Sequence, residues 1–190
     1  MKDKTIVVKN DVNKLANYYC NLFKGYSSLT AEQQDAVKDW SKRCFLGSGV
    51  FRFAYAQYIS KKAKKYLESL PVEQLELKGF QMEHIVPKSN YGLATIHKVA
   101  ASKKLSASQK DAKIKEIVKE QMLVCFVTDS ENEKLNGVGR KFMPDTFSEK
   151  KKNFFARYEA AFDMTEEELK RKFFVEIKSI KVENGYIKIN

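Results

Sequence analysis

The chain has 190 residues, with 35 Lys and Arg against 24 Asp and Glu, a formal net charge of +11 at pH 7. Its 43% hydrophobic content with 12% aromatics excludes a disordered chain, and three prolines exclude a Pro-rich linker. No apolar run approaches the roughly 18 residues a membrane span needs, so no membrane association is expected.

The length suits one domain, or one with an appended subdomain. Met1 to Lys9 gives a short β-like alternation without a signal-peptide core. Val12 to Tyr26 reads as a helix, because Val12, Leu15, Ala16, Tyr19, Leu22 and Phe23 recur at helical spacing. Thr30-Ala31-Glu32-Gln33 is a capping box opening a second helix to about Phe45. After Gly47-Ser48-Gly49 a third helix is expected from Val50 to about Leu70, aromatic at Phe51, Phe53, Tyr55 and Tyr58. Glu76 to Val86 reads as a strand bent at Gly79, and two helical stretches follow at about Gly92–Lys104 and Ser108–Glu120.

Met122 to Val127 is an apolar run of strand length, and a helix is expected over Thr146 to about Phe162. Thr165-Glu166-Glu167-Glu168 is another capping box, and Phe173 to Ile189 reads as a hairpin turning at Asn184-Gly185. The fold class expected is helix-rich α+β. Cys20, Cys44 and Cys125 are scattered and odd in number, without a Cys-x-x-Cys. That argues against a zinc knuckle or a disulfide framework and for a reducing, cytoplasmic setting with cysteines as core residues. The basic balance suits a polyanionic partner.

Of the two histidines, His97 lies on a helical stretch and reads as a packing or surface residue. His84 sits in Glu83-His84-Ile85-Val86-Pro87. Neighbouring strand residues face opposite ways, so Glu83 and His84 can share a pocket only where the strand bends or ends. Pro87 supplies such an ending.

Glu83-His84-Ile85-Val86-Pro87 resembles the first strand of an HNH nuclease, the His-Me finger or ββα-metal fold, as in GmrSD-type restriction enzymes and CRISPR effector nucleases. The resemblance continues through Leu123 to Thr128, the segment Asn132-Glu133-Lys134-Leu135-Asn136, and Phe147-Ser148-Glu149-Lys150. It spans Glu76 to about Tyr158. The chain departs from the family in a longer link between His84 and Asn132, in a tighter spacing of the two asparagines, and in lacking the middle Asn. Gln121 is the nearest stand-in for that residue.

The resemblance implies a finger at about 76–160 with a helical insertion at about 92–120. A helical part at 1–75 and a C-terminal helix and β-hairpin at 161–190 would flank it. It also implies a metal-dependent endonuclease acting on DNA, in restriction or phage defence. His84 would be the general base, with Glu83, Asn132 and Asn136 around Mg²⁺ or Mn²⁺ and catalytic support from Asn132 and Gln121. All-oxygen ligation suits Mg²⁺ over Zn²⁺.

Asn132 also fits a solvated turn or a helix N-cap, and Asn136-Gly137 also fits a turn. Lys61, Lys62, Lys64, Lys65, Lys88, Lys134, Arg140, Lys141 and Lys150 are candidate DNA contacts, although a lysine run is ordinarily a solvated helix face. A double-strand cut would need two sites, which makes a homodimer attractive. The competing expectations are a non-catalytic nucleic-acid-binding protein on the same scaffold and an HNH-type ribonuclease toxin.

Overall fold

A strand whose consecutive side chains are all apolar must be covered on both faces. Val124, Cys125, Phe126 and Val127 are such a run, all buried, and they form the interior of β4 (Val124–Thr128). In the computed structural model, which describes residues 8–9, 12–43, 56–74, 79–148 and 150–190, β4 is an inner strand of a four-stranded sheet. On one side lies β3 (Phe80–His84), antiparallel. On the other lies β2 (Tyr58–Ser60), parallel to β4, followed by β5 (Phe174–Glu176), antiparallel to β2.

The two faces of the sheet carry separate cores. Val124 and Phe126 pack with Ile59, Ala63 and Leu67, the latter two from α3 (Lys61–Ser69). Cys125 and Val127 pack with Leu135 of α6 (Asp129–Val138), with Phe155, with Tyr158 of α7 (Ala156–Phe162), and with Phe174. A second layer is purely helical. It comprises α1 (Val12–Leu22), α4 (Gly92–Ala101) and α5 (Ala107–Gln121), closed around Tyr19, Phe23, Ile96, Ile114 and Val118. The helix α2 (Ala31–Arg43) lies against α4.

After α7, a one-turn α8 (Glu166–Glu168) runs into a π-helical turn, Leu169–Phe173, ahead of β5. The chain ends in the hairpin of β6 (Ser179–Glu183) and β7 (Tyr186–Ile189). Asn184 and Gly185 turn it with φ of 50° and 78°, the left-handed pair that a tight two-residue hairpin requires. A short β1 (Val8–Lys9) pairs with β6. The architecture is α+β, as expected. Among the described residues no helix is long and apolar enough to cross a membrane.

Four element expectations change. The hairpin expected over Phe173–Ile189 begins only at Ser179, because Phe174–Glu176 pairs with β2 in the four-stranded sheet. Tyr58 to Ser60 are strand rather than helix: Ile177 N–H donates to Gln57 O at 2.8 Å, and Gln57 N–H to Val124 O at 3.0 Å. The aromatic and β-branched pair Tyr58-Ile59 suits a ladder, and the Ser60 hydroxyl, accepting from Ala63 N–H, starts α3 only there. Lys61–Ser69 is helical as expected, while the first part of that expected helix, with Phe51, Phe53 and Tyr55, lies outside the described residues, as do the Gly47-Ser48-Gly49 break, Cys44 and most of the opening strand.

The helix expected from Thr146 begins only at Ala156, because Asn153 closes a loop ahead of it. Its Nδ2 donates to Thr146 O at 2.8 Å and its Oδ1 accepts from Ser148 N–H at 2.7 Å, a side-chain alternative to helical bonding. The strand expected over Glu76–Val86 is Phe80–His84, starting after a left-handed Gly79. The sheet draws β2 from the segment before residue 76, β3 and β4 from 76–160, and β5 from beyond 161.

Candidate functional site

On β3, Glu83 stands opposite Cys125 and His84 opposite Val124, so the two belong to opposite faces of the sheet. They converge because β3 is an edge strand that stops at His84. Ile85 N–H still reaches Leu123 O at 2.9 Å, Ile85 and Val86 are buried, and Pro87 O accepts from Tyr91 N–H to turn the chain into α4. Both side chains then line one open cavity of about 660 Å³, together with Lys88, Arg140, Lys141 and Arg157.

The far wall of that cavity is the loop leaving α6. Gly139 ends the helix with φ of 154°, and a Cβ there would lie 3.0 Å from Phe142 O, so only glycine fits without displacing the loop. Asn90 Nδ2 donates to Lys141 O at 2.9 Å, and Met143 N–H donates to the Tyr91 hydroxyl at 3.0 Å. These bonds tie the Arg140–Lys141 wall to the Lys88–Tyr91 wall. Exposed Arg140 and Lys141 make no side-chain ion pair among the described residues, so both cations are available to a ligand.

Arg157, on α7, is wholly buried. A buried guanidinium requires acceptors. Its Nη1 donates to Glu83 Oε2 at 3.0 Å and to His84 O at 3.4 Å, and its Nε to Leu135 O at 3.4 Å. Nη2 is buried without a hydrogen-bond partner. Arg157 thus joins α7, α6 and the end of β3, and fixes the Glu83 carboxylate. Sequence reasoning missed it. The available signal was one arginine inside the otherwise apolar run Phe154-Phe155-Ala156-Arg157-Tyr158.

The His84 ring is half-buried, with Nε2 closed off from solvent. Burial, then the positive charges of Lys88 and Arg157, lower its pKa from the ordinary 6.5 to about 3. The imidazole is therefore neutral at pH 7, and the same surroundings make it a weak base.

The two asparagines share α6, one helical turn apart, and the Asn136-Gly137 pair continues the helix instead of turning it. Thr128 caps α6, which leaves Asn132 free of the capping role considered for it. Asn132 is half-buried, with its Oδ1 buried and without a hydrogen-bond partner, while Asn136 is exposed. Neither lines the Glu83–His84 cavity. Gln121 ends α5 and is buried, and it too is outside the cavity lining.

The start of α6 is locked by a residue no motif singled out. Glu131 Oε2 accepts from Ser60 Oγ at 2.7 Å and from Thr128 N–H at 2.8 Å, tying the N-termini of α3 and α6. Among the described residues no three His, Cys, Asp or Glu side chains gather as a metal centre. In the cavity the oxygen donor suited to a hard divalent ion is the Glu83 carboxylate, shared with Arg157, while the buried Asn132 amide oxygen lies outside the lining. That chemistry fits Mg²⁺ or Mn²⁺.

The candidate DNA contacts divide. Lys88, Arg140 and Lys141 line the cavity. On α3, Lys61 Nζ donates to Arg171 O, Lys62 to Ser130 Oγ and Lys64 to Ile189 O, while exposed Lys65 lines two other depressions. Lys134 lies over the Phe162 ring at 5.8 Å, and Lys150 is exposed. His97 packs against the Phe23 and Tyr26 rings and meets Ser41 Oγ, as a packing residue should. Cys20 and Cys125 are buried in the core, as expected. No family model, curated protein or solved structure matches the chain.

Proposed function

We propose that the chain is a divalent-metal-dependent endonuclease of the HNH type, hydrolysing DNA phosphodiester bonds in restriction or phage defence. One observation supports this most: Glu83 and His84, side by side at the end of β3, share a cavity with Lys88, Arg140 and Lys141. The antiparallel pair β3–β4 leading into α6 has the strand-strand-helix order that the resemblance implies.

His84 takes a proton from the attacking water as the P–O3′ bond breaks. Arg157 orients Glu83, whose carboxylate would hold the divalent ion. When bound, that ion would supply charge neutralisation on the scissile phosphate. Lys88, Arg140 and Lys141 hold the backbone without reading sequence.

The test is nicking of supercoiled plasmid with Mg²⁺, Mn²⁺ or EDTA, on modified and unmodified DNA. Wild type is expected to nick only with the ion, and His84→Ala to bind DNA normally without nicking. The Glu83–Arg157 ion pair favours a second reading, a DNA-binding protein without hydrolytic activity, because the carboxylate already has a cation. Wild type that binds DNA and nicks with no divalent ion tried establishes that reading instead.

A further inference from the structure

Among the described residues lining it, the cavity is strongly biased in charge: Lys88, Arg140, Lys141 and Arg157 against the single carboxylate of Glu83. Arg157 is wholly buried, lines the cavity and keeps one nitrogen, Nη2, without a hydrogen-bond partner. A bare divalent cation entering here meets four like charges, and its best ligand is already shared with a guanidinium 3.0 Å away. An entering anion meets the opposite field. The cavity walls are braced for it by the Asn90–Lys141 and Tyr91–Met143 hydrogen bonds.

We propose that the cavity binds a phosphate group in the absence of any metal, with Arg157 as the fixed cation of its floor and Lys88, Arg140 and Lys141 around its rim. A divalent ion then joins a site whose excess positive charge the phosphate has already reduced. The proposal rests on the nuclease reading in taking this cavity as the seat of the scissile phosphate. The two fail separately, because phosphate binding in EDTA is independent of whether DNA is nicked.

The experiment is calorimetric titration of the full chain with inorganic phosphate and pyrophosphate in EDTA. Wild type is expected to bind pyrophosphate saturably. The Arg140→Ala/Lys141→Ala double variant, altered only at exposed side chains, is expected to bind roughly tenfold more weakly. Glu83→Gln removes the one repulsive charge and keeps an acceptor for Arg157, so it is expected to bind roughly threefold more tightly. A site organised around a metal would show no saturable binding in EDTA. Absence of saturable binding in EDTA, or binding that both variants leave unchanged, overturns the proposal.

Discussion

The helical layer around His97 and the end of the sheet around His84 each hold a half-buried histidine, in opposite surroundings. His97 packs against the Phe23 and Tyr26 rings, beside an apolar core of Leu15, Tyr19, Ile96 and Val118. His84 lies beside Arg157, Glu83 and Lys88. The buried charged side chains among the described residues, Glu131 and Arg157, both belong to the sheet unit. A fold needs only the first arrangement to be stable. Burying charge is costly unless it is paired, so the buried Arg157, beside Glu83 and His84 in an open cavity, marks where chemistry is expected.

The comparison breaks most sharply on activity. His84→Ala is expected to lower metal-dependent nicking by about 10²–10⁴-fold, the usual contribution of a general base, while His97→Ala leaves the rate per folded molecule within about twofold. Equal losses in the two variants would remove the distinction between the regions.

Next comes stability. Arg157→Met leaves the Glu83 carboxylate without its partner and should cost about 3–5 kcal/mol. For a chain of this length that lowers Tm by about 10 °C in a thermal melt. Adding Glu83→Gln should restore part of the loss, and strict additivity in this cycle would show the pair uncoupled.

A pH titration sharpens the contrast. The unfolded His84 side chain titrates near 6.5 and the folded one near 3. Between those values the unfolded chain binds the extra proton, so stability is complete above about pH 6.5 and falls as pH drops toward 3. The loss is on the order of a few kcal/mol and should shrink in His84→Gln. For the same reason the acidic limb of the nicking profile should lie well below pH 6.5 in the free enzyme.

The smallest effect is expected at the cavity wall. Gly139→Ala must displace the Phe142 carbonyl and should cost about 1–2 kcal/mol in a denaturant melt, with weaker DNA binding as Arg140 and Lys141 shift.

Much of this was legible in the sequence because it is written locally. The hydroxyl-to-acid or amide spacing of Thr30–Gln33 and Thr165–Glu168 makes the expected caps, and Asn184-Gly185 makes the expected turn. The link between Glu83 and His84 was also readable, since Pro87 stands three residues after His84. The rest depends on long-range pairing. Tyr58-Ile59-Ser60 is a strand because β4 and β5 flank it, which no local pattern records. Arg157 meets Glu83 across 74 positions, and Glu131 meets Ser60 across 71. Asn132 and Asn136 share a helix as spaced, but only the tertiary fold decides that one is half-buried and the other exposed.

The most direct measurement is a crystal structure of the protein with a short DNA duplex and Mn²⁺, the ion located by its anomalous signal. The account predicts a backbone phosphate in the cavity between Arg140, Lys141 and Lys88, with the ion on the Glu83 carboxylate and His84 within one water of the phosphorus. DNA lying along the α3 lysines, with the cavity at Glu83 and His84 empty, would contradict it.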